Sequence, residues 1–160
     1  MMKFDTRLIH GGIDGDEHTG AVSVPIYQTS TYRQTTIGEN KGYEYSRTGN
    51  PTRYALETLI AELEEGVAGY AFASGMAATS AVLTLFKTGD KILISNNIYG
   101  GTFRVLDKVF KNFGNEYVII DTNNQEELKS NIDEKVKAIF IETPTNPLMG
   151  ITHIAAVAKK

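Results

Sequence analysis

The chain contains no cysteine among its 160 residues, which excludes a disulfide framework and any thiolate metal site. Its three histidines, His10, His18 and His153, are too scattered to share one face of a helix or strand, so no histidine-built metal centre is expected. No apolar run approaches the length of a membrane span, and the opening residues Met1-Met2-Lys3-Phe4-Asp5 lack the apolar core of a secretory signal. A formal net charge of −3 without a basic cluster leaves no electrostatic footprint for nucleic acid. Neither a G-x-G-x-x-G turn after a strand nor a Walker loop is present, which argues against nicotinamide-dinucleotide and P-loop chemistry. Internal repeats and low-complexity tracts are absent as well. Asp14, Asp16 and Glu17 crowd near Gly12 and Gly15, but a calcium loop needs further oxygen ligands, and a solvated acidic turn accounts for them. What is present, 41% hydrophobic and 22% charged residues, is ordinary globular material with enough chain for one core. The expectation is a cytoplasmic protein that meets neither membrane nor nucleic acid.

After an irregular first fifty residues, strand-like runs at 69–73, 91–95, 116–120 and 137–142 alternate with helix-like runs at 76–86, 102–113 and 125–131. That alternation predicts an α/β fold, a mainly parallel sheet with helices on both faces. Asn50 as N-cap and Pro51 as first helical residue open a further helix, whose apolar positions Leu56, Leu59, Ile60 and Leu63 fall at helical spacing and which Gly66 closes. Residues 1–50 hold few periodic apolar positions and read as an extended amino-terminal arm that orders against another subunit, or as a flexible tail. Residues 51–160 read as the first part of the α/β domain, ending in the helix-like run 154–160.

Three segments carry chemistry. In Tyr70-Ala71-Phe72-Ala73-Ser74-Gly75-Met76-Ala77-Ala78 a short apolar run breaks at Ser-Gly and continues as a helix. A strand that turns straight into a helix leaves the first helical N–H groups unpaired at the positive end of the dipole, a place suited to phosphate. Ser74 is a good N-cap, and Gly75 lets a ligand approach without a Cβ in the way; a plain turn would use the same dipeptide. Upstream, the loop 43–50 holds Arg47, Tyr43 and Tyr45, a guanidinium fork and phenols that pair well with phosphate oxygens, although an Arg in a loop is often a solvated charge. Downstream, the strand-like run 138–142 enters Thr143-Pro144-Thr145-Asn146-Pro147, a rigid turn at the carboxyl end of a buried strand, where ligands of open α/β sheets sit. Asn146 there is either a donor to a ligand oxygen or an Asx turn satisfying its own backbone.

Tyr45-Ser46-Arg47-Thr48-Gly49-Asn50-Pro51-Thr52, Ala73-Ser74-Gly75-Met76-Ala77-Ala78, Tyr99-Gly100-Gly101-Thr102 and Glu142-Thr143-Pro144-Thr145-Asn146-Pro147 follow one another in the order and spacing of the cysteine/methionine-metabolism enzymes that use pyridoxal 5′-phosphate. The chain resembles the amino-terminal part of that family's bacterial members over nearly all its length. The resemblance implies an aspartate-aminotransferase-like large domain, present in part. It implies that Ser74, Gly75 and Met76 hold the cofactor phosphate and that Tyr45 and Arg47 reach the phosphate of a neighbouring subunit. Tyr99 is implied to stack on the pyridine ring and assist proton transfer as a catalytic residue, and Asn146 to bond the cofactor's phenolic oxygen. A homo-oligomer follows, a dimer of active sites and as a whole a tetramer.

The implied activity is trans-sulfuration on a small amino-acid substrate. It is either γ-elimination from cystathionine or homocysteine to a 2-oxo acid, ammonia and a thiol, or γ-replacement on an O-acylhomoserine, as in the family's synthases. Gly101 stands where methionine γ-lyases typically carry a Cys, which argues against that branch. A pyridoxal enzyme needs a lysine to carry the cofactor and an acidic partner for the pyridinium nitrogen, and in this family both lie beyond residue 160. None of the eleven lysines here sits in a matching motif, so residues 1–160 alone are not expected to be active. A non-catalytic phosphate-binding or oligomerisation module stays open as the alternative.

Overall fold

Three five-residue runs, β1 (Lys91–Ser95), β2 (Glu116–Ile120) and β3 (Val136–Phe140), pair in parallel in the order β2-β1-β3. Parallel neighbours need crossovers, and helices supply them. α4 (Gly100–Lys108) and a 3₁₀ turn (Phe110–Phe113) lead from β1 to β2, and α5 (Gln125–Asn131) leads from β2 to β3. The computed structural model describes residues 2–12 and 15–159. They fall into two compact units, Met1–Phe72 and Ala73–Lys160.

The second unit has a core on each face of the sheet, because successive strand residues point to opposite sides. On one face Ile92 and Ile94 pack with Leu83 of α3 (Gly75–Leu83), Leu106 of α4 and Phe110. On the other Leu93 and Ile120 pack with Leu128 of α5 and Val157 of α6 (Ile154–Val157). Helices on both faces of a parallel sheet are therefore present as expected. Each fully buried aliphatic side chain of this kind contributes about 1.5–3 kcal/mol. A hydrogen bond between the buried Thr122 and Thr152 hydroxyls, 2.7 Å, and one from the Thr152 N–H to Thr143 Oγ1, 2.9 Å, tie the segment before α6 to the ends of β2 and β3.

The first unit centres on α2 (Pro51–Leu63), where Asn50 caps through its side-chain oxygen to the Thr52 N–H at 2.9 Å and Pro51 occupies the first turn. The chain reverses after it with the Gly66 N–H donating to Ala61 O at 2.8 Å, while Glu65 takes the left-handed conformation, φ 55°. This is a Schellman end. The left-handed position falls on Glu65, one residue before the glycine expected to close the helix. The helix belongs to the compact unit of the amino-terminal residues, whereas the sequence groups it with the α/β domain.

Other expectations are corrected. Residues 69–73 form no strand: a strand exists through its ladder, and among the described residues none pairs with this segment. The irregular arm contains a short helix, α1 (Phe4–His10), which docks on α2 through the Arg7 guanidinium to Glu62 O at 2.9 Å. Gly12, at φ 66°, lies so close to α2 that a Cβ would meet the Leu59 nitrogen at 2.6 Å. α3 starts one residue before the expected Met76 and loosens after Leu83 into single turn bonds, Leu85 N–H to Val82 O and Phe86 N–H to Leu83 O. α4 starts two residues early and breaks at Val109, where Asn112 Nδ2 takes over the Lys108 carbonyl at 2.9 Å and Phe110 turns into the core. β3 stops at Phe140, opposite Ile94, so Ile141 and Glu142 leave the ladder. Of the acidic cluster, Asp14 lies outside the described residues. Asp16 accepts from the Thr19 N–H and hydroxyl as a plain turn, and the Thr19 hydroxyl holds its carboxyl below the usual range. Among the described residues no group of acidic or histidine side chains could hold a metal ion, and no helix is long and apolar enough to cross a membrane.

Candidate active site

At the carboxyl edge of the sheet the starts of α3 and α4 and the end of β3 enclose a cavity of about 450 Å³. Ser74, Gly75, Met76 and Thr79 come from α3, Tyr99 and Thr102 from the start of α4, and Phe140, Ile141 and Glu142 from the β3 end. Strand order explains the place: β1 and β3 are neighbours, and the loops leaving their carboxyl ends face each other across one edge.

The α3 end is built as its sequence suggests. Ser74 is extended, φ −157°, and its Oγ accepts the Ala77 N–H at 3.1 Å, while its carbonyl accepts from Ala78. The Gly75 and Met76 N–H groups have no partner among the described residues. A Cβ at Gly75 would meet nothing within 4 Å, so the space over this helix end is open to a ligand. Two free amides, a helix dipole and an unobstructed approach suit a phosphate group. The donor set here fits one.

The α4 end is capped differently. Tyr99 occupies the N-cap position but makes no side-chain cap bond, and its own N–H donates to Glu142 Oε2 at 2.6 Å. Its ring is half exposed and lies against the first turn of α4: a Cβ on Gly101 would run into Tyr99 Cε1, and would come within 2.9 Å of Met76 Sδ. The glycine lets ring and sulfur converge. Ser74, Gly75, Met76 and Tyr99 therefore share one cavity.

None of the other sequence candidates lines this cavity. Asn146 is exposed and does not line the cavity; its turn is closed by Thr145, which exchanges bonds with Gly150 at 3.0 and 2.8 Å and accepts from Met149 at 2.8 Å. Among the described residues the Asn146 side chain makes no hydrogen bond, so the Asx-turn reading is not what shapes this segment. Tyr45 and Arg47 belong to the first unit, where Arg47 Cζ sits 5.0 Å from the Tyr45 ring centroid. Their loop is held by Arg53 of α2, whose guanidinium donates to the Ser46, Arg47 and Thr48 carbonyls and pairs with Glu57 at 3.4 Å. Asn50 Nδ2 adds a bond to Ser46 Oγ at 3.1 Å. A separate hollow of about 500 Å³ in that unit is lined by Tyr32, Arg33, Lys41 and Tyr43, where burial pushes the Tyr43 phenol above its ordinary range.

The sequence reading missed Glu142, Thr79, Thr102 and Arg53. An acidic residue ending an otherwise apolar strand was the available signal for Glu142; Arg53, four residues before Glu57, reads as an ordinary helix pair. Among the described residues no lysine lines the cavity.

The family model for Cys/Met metabolism PLP-dependent enzymes matches residues 5–160. The chain is 57% identical to the cystathionine gamma-lyase of Bacillus subtilis, over 99% of this chain and 43% of that protein. It is 55% identical to the cystathionine beta-lyase of Lactococcus lactis over the same shares. The crystal structure of cystathionine gamma-lyase from Lactobacillus plantarum, complexed with L-serine, superposes with a TM-score of 0.92 and 59% identity, covering 99% of this chain and 41% of that one. The chain thus spans less than half the length of the relatives it matches.

Proposed function

The chain belongs to the Cys/Met metabolism PLP-dependent enzymes, and from that premise we propose that the whole protein is a cystathionine lyase acting by γ-elimination. Its overall reaction takes cystathionine and water to cysteine, a four-carbon 2-oxo acid and ammonia. The observation that carries the reading is the meeting of Ser74, Gly75 and Met76 with Tyr99 in one cavity at the carboxyl edge of the sheet. Similarity to a γ-lyase at 57% supports the γ position, and similarity to a β-lyase at 55% makes β-elimination the rival. γ-Replacement on an O-acylhomoserine is a further alternative.

Pyridoxal phosphate, the cofactor of this family, supplies an electron sink for the carbons next to the substrate amine. The residues of this chain hold it and work around it. The Gly75 and Met76 N–H groups and the α3 dipole would hold the phosphate, with Ser74 fixing the helix start. Tyr45 and Arg47 add a phenol and a guanidinium to the phosphate of a neighbouring subunit, which makes the protein a homo-oligomer, at least a dimer and as a whole a tetramer. Tyr99, which lines the cavity, would stack on the cofactor ring, and its Oη would pass a proton to or from the substrate carbon. Asn146, exposed on the turn after β3 and outside the cavity lining, is the residue that would reach from that turn to the cofactor's phenolic oxygen. The lysine that carries the cofactor would lie outside residues 1–160: among the described residues none lines the cavity. A cytoplasmic location fits this metabolism.

Incubation of the whole protein with cystathionine tests the reading. A four-carbon 2-oxo acid with cysteine supports it; a three-carbon 2-oxo acid with homocysteine means β-elimination. Product only from an O-acylhomoserine plus a thiol means replacement, and a colourless protein without turnover means a binding module. Borohydride reduction and peptide mapping should place the cofactor on a lysine outside residues 1–160; a reduced cofactor on Lys87 or Lys91 would overturn that assignment.

A further inference from the structure

Tyr99 is fixed by a residue 43 positions away. β3 leaves the ladder after Phe140, which releases Glu142 from sheet pairing. Its carboxylate then accepts the Tyr99 N–H at 2.6 Å, its only hydrogen bond among the described residues. No cation pairs with it there. In a capping box the side chain at the third helical position reaches back to the N-cap N–H. In α4 that position is Thr102, whose side chain makes no such bond, and Glu142 supplies the acceptor from the neighbouring strand end. The carboxylate also faces the positive end of α4.

We infer that Glu142 is a positioning residue for Tyr99. Holding the N–H fixes the direction in which the Tyr99 Cα–Cβ bond leaves the backbone, and the missing Cβ of Gly101 leaves room for the ring on that course. The carboxylate sets the backbone and the glycine admits the ring. The tyrosine plane thus reaches the cavity in one orientation, although the side chain is 54% exposed and little else confines it. The inference rests on the proposal that Tyr99 serves the reaction.

Two measurements on the full-length protein test it. The first uses cofactor-free protein and reads amide exchange by mass spectrometry on peptides spanning Tyr99. Glu142→Ala should speed exchange at that amide by about tenfold or more, and Glu142→Gln, whose amide oxygen still accepts, should restore most of the protection. This readout holds whatever reaction the protein performs. The second uses the holoenzyme. Misplacing a reacting group by a fraction of its length costs on the order of ten- to a hundredfold. Glu142→Ala should therefore lower kcat by at least about tenfold with KM within about twofold, and in a Tyr99→Phe background it should cost no more than about twofold, because the phenol it places is gone. Unchanged exchange at Tyr99 overturns the clamp. An equal loss in both backgrounds overturns the positioning role, and absence of any cofactor absorbance in the wild type overturns the functional reading while leaving the exchange result to decide the clamp.

Discussion

The Arg47 guanidinium lies over the ring of Tyr45, its Cζ 5.0 Å from the ring centroid. Stacking a planar cation on an aromatic face sets both side chains in one orientation, and Arg53 holds the carbonyls of the same loop from α2. The two side chains and their loop thus hold one another in place.

Arg47→Ala should weaken cofactor binding by one to two decades, the loss of a charge-assisted bond of about 1.5–3 kcal/mol, read by absorbance titration of cofactor-free protein. Co-assembly of this variant with a subunit lacking the cofactor lysine should recover one working site per dimer if the loop serves its neighbour. Mixed dimers no more active than either parent, with exchange verified by mass spectrometry, would place the loop in its own subunit's site.

Gly101→Ala should displace the Tyr99 ring, since the new Cβ would run into Cε1 and crowd Met76 Sδ at 2.9 Å. Because the ring is half exposed it can swing outward, so stability should change by less than about 1 kcal/mol, while kcat falls about tenfold through misorientation. Wild-type turnover in this variant would show that the ring does not work from its observed position.

Leu93→Ala should destabilise the protein by about 2–5 kcal/mol, because the residue is fully buried beneath Leu128 and Val157 in a core whose strands cannot close the gap. Leu93→Ile should cost less than about 1.5 kcal/mol. Denaturant midpoints of the two variants check the difference.

Asp107 joins α4 to β2: it pairs with Lys108 at 2.7 Å and accepts from the Tyr117 hydroxyl at 2.8 Å. The Lys108 ammonium, followed by the Tyr117 hydroxyl, holds the Asp107 carboxyl below its usual range, and the bond to Asp107 raises the Tyr117 phenol above its own. A lowered carboxyl stabilises the fold above its unfolded value of about 3.9 and loses this as the pH falls through the folded value. A raised phenol stabilises below about 10 and loses this as the pH rises through its folded value. The stability gap between the wild type and Asp107→Asn should therefore be flat from about pH 5 to about pH 9 and narrow at both ends. Urea midpoints across that range test it, and a gap indifferent to pH would mean that the pair contributes by packing alone.

Local chemistry was legible in the sequence wherever one segment could satisfy itself. Asn50 and Pro51 start α2 and Ser74 caps α3 as the sequence predicts, because each cap is made within three residues of its own position. The apolar runs 91–95 and 116–120 are strands with the expected bounds, since each pairs with the other along its whole length. The free amides at Gly75 and Met76 were readable for the same reason: unpartnered N–H groups at a helix start are a property of the start itself.

What needed a partner far along the chain was decided by tertiary structure. Residues 69–73 have strand composition but no ladder, and β3 leaves the ladder at Phe140, opposite Ile94, before the expected end at Glu142. The turn at Thr143–Pro147 was foreseen, yet Thr145, by reaching Gly150, closes it and leaves Asn146 exposed. Glu142 and Tyr99 meet only because β1 and β3 are adjacent, and Gly101 matters only because Tyr99 and Met76 converge on it. A side-chain period names the face a residue takes, but the atom it meets there is chosen by strand order and register, which no local pattern contains.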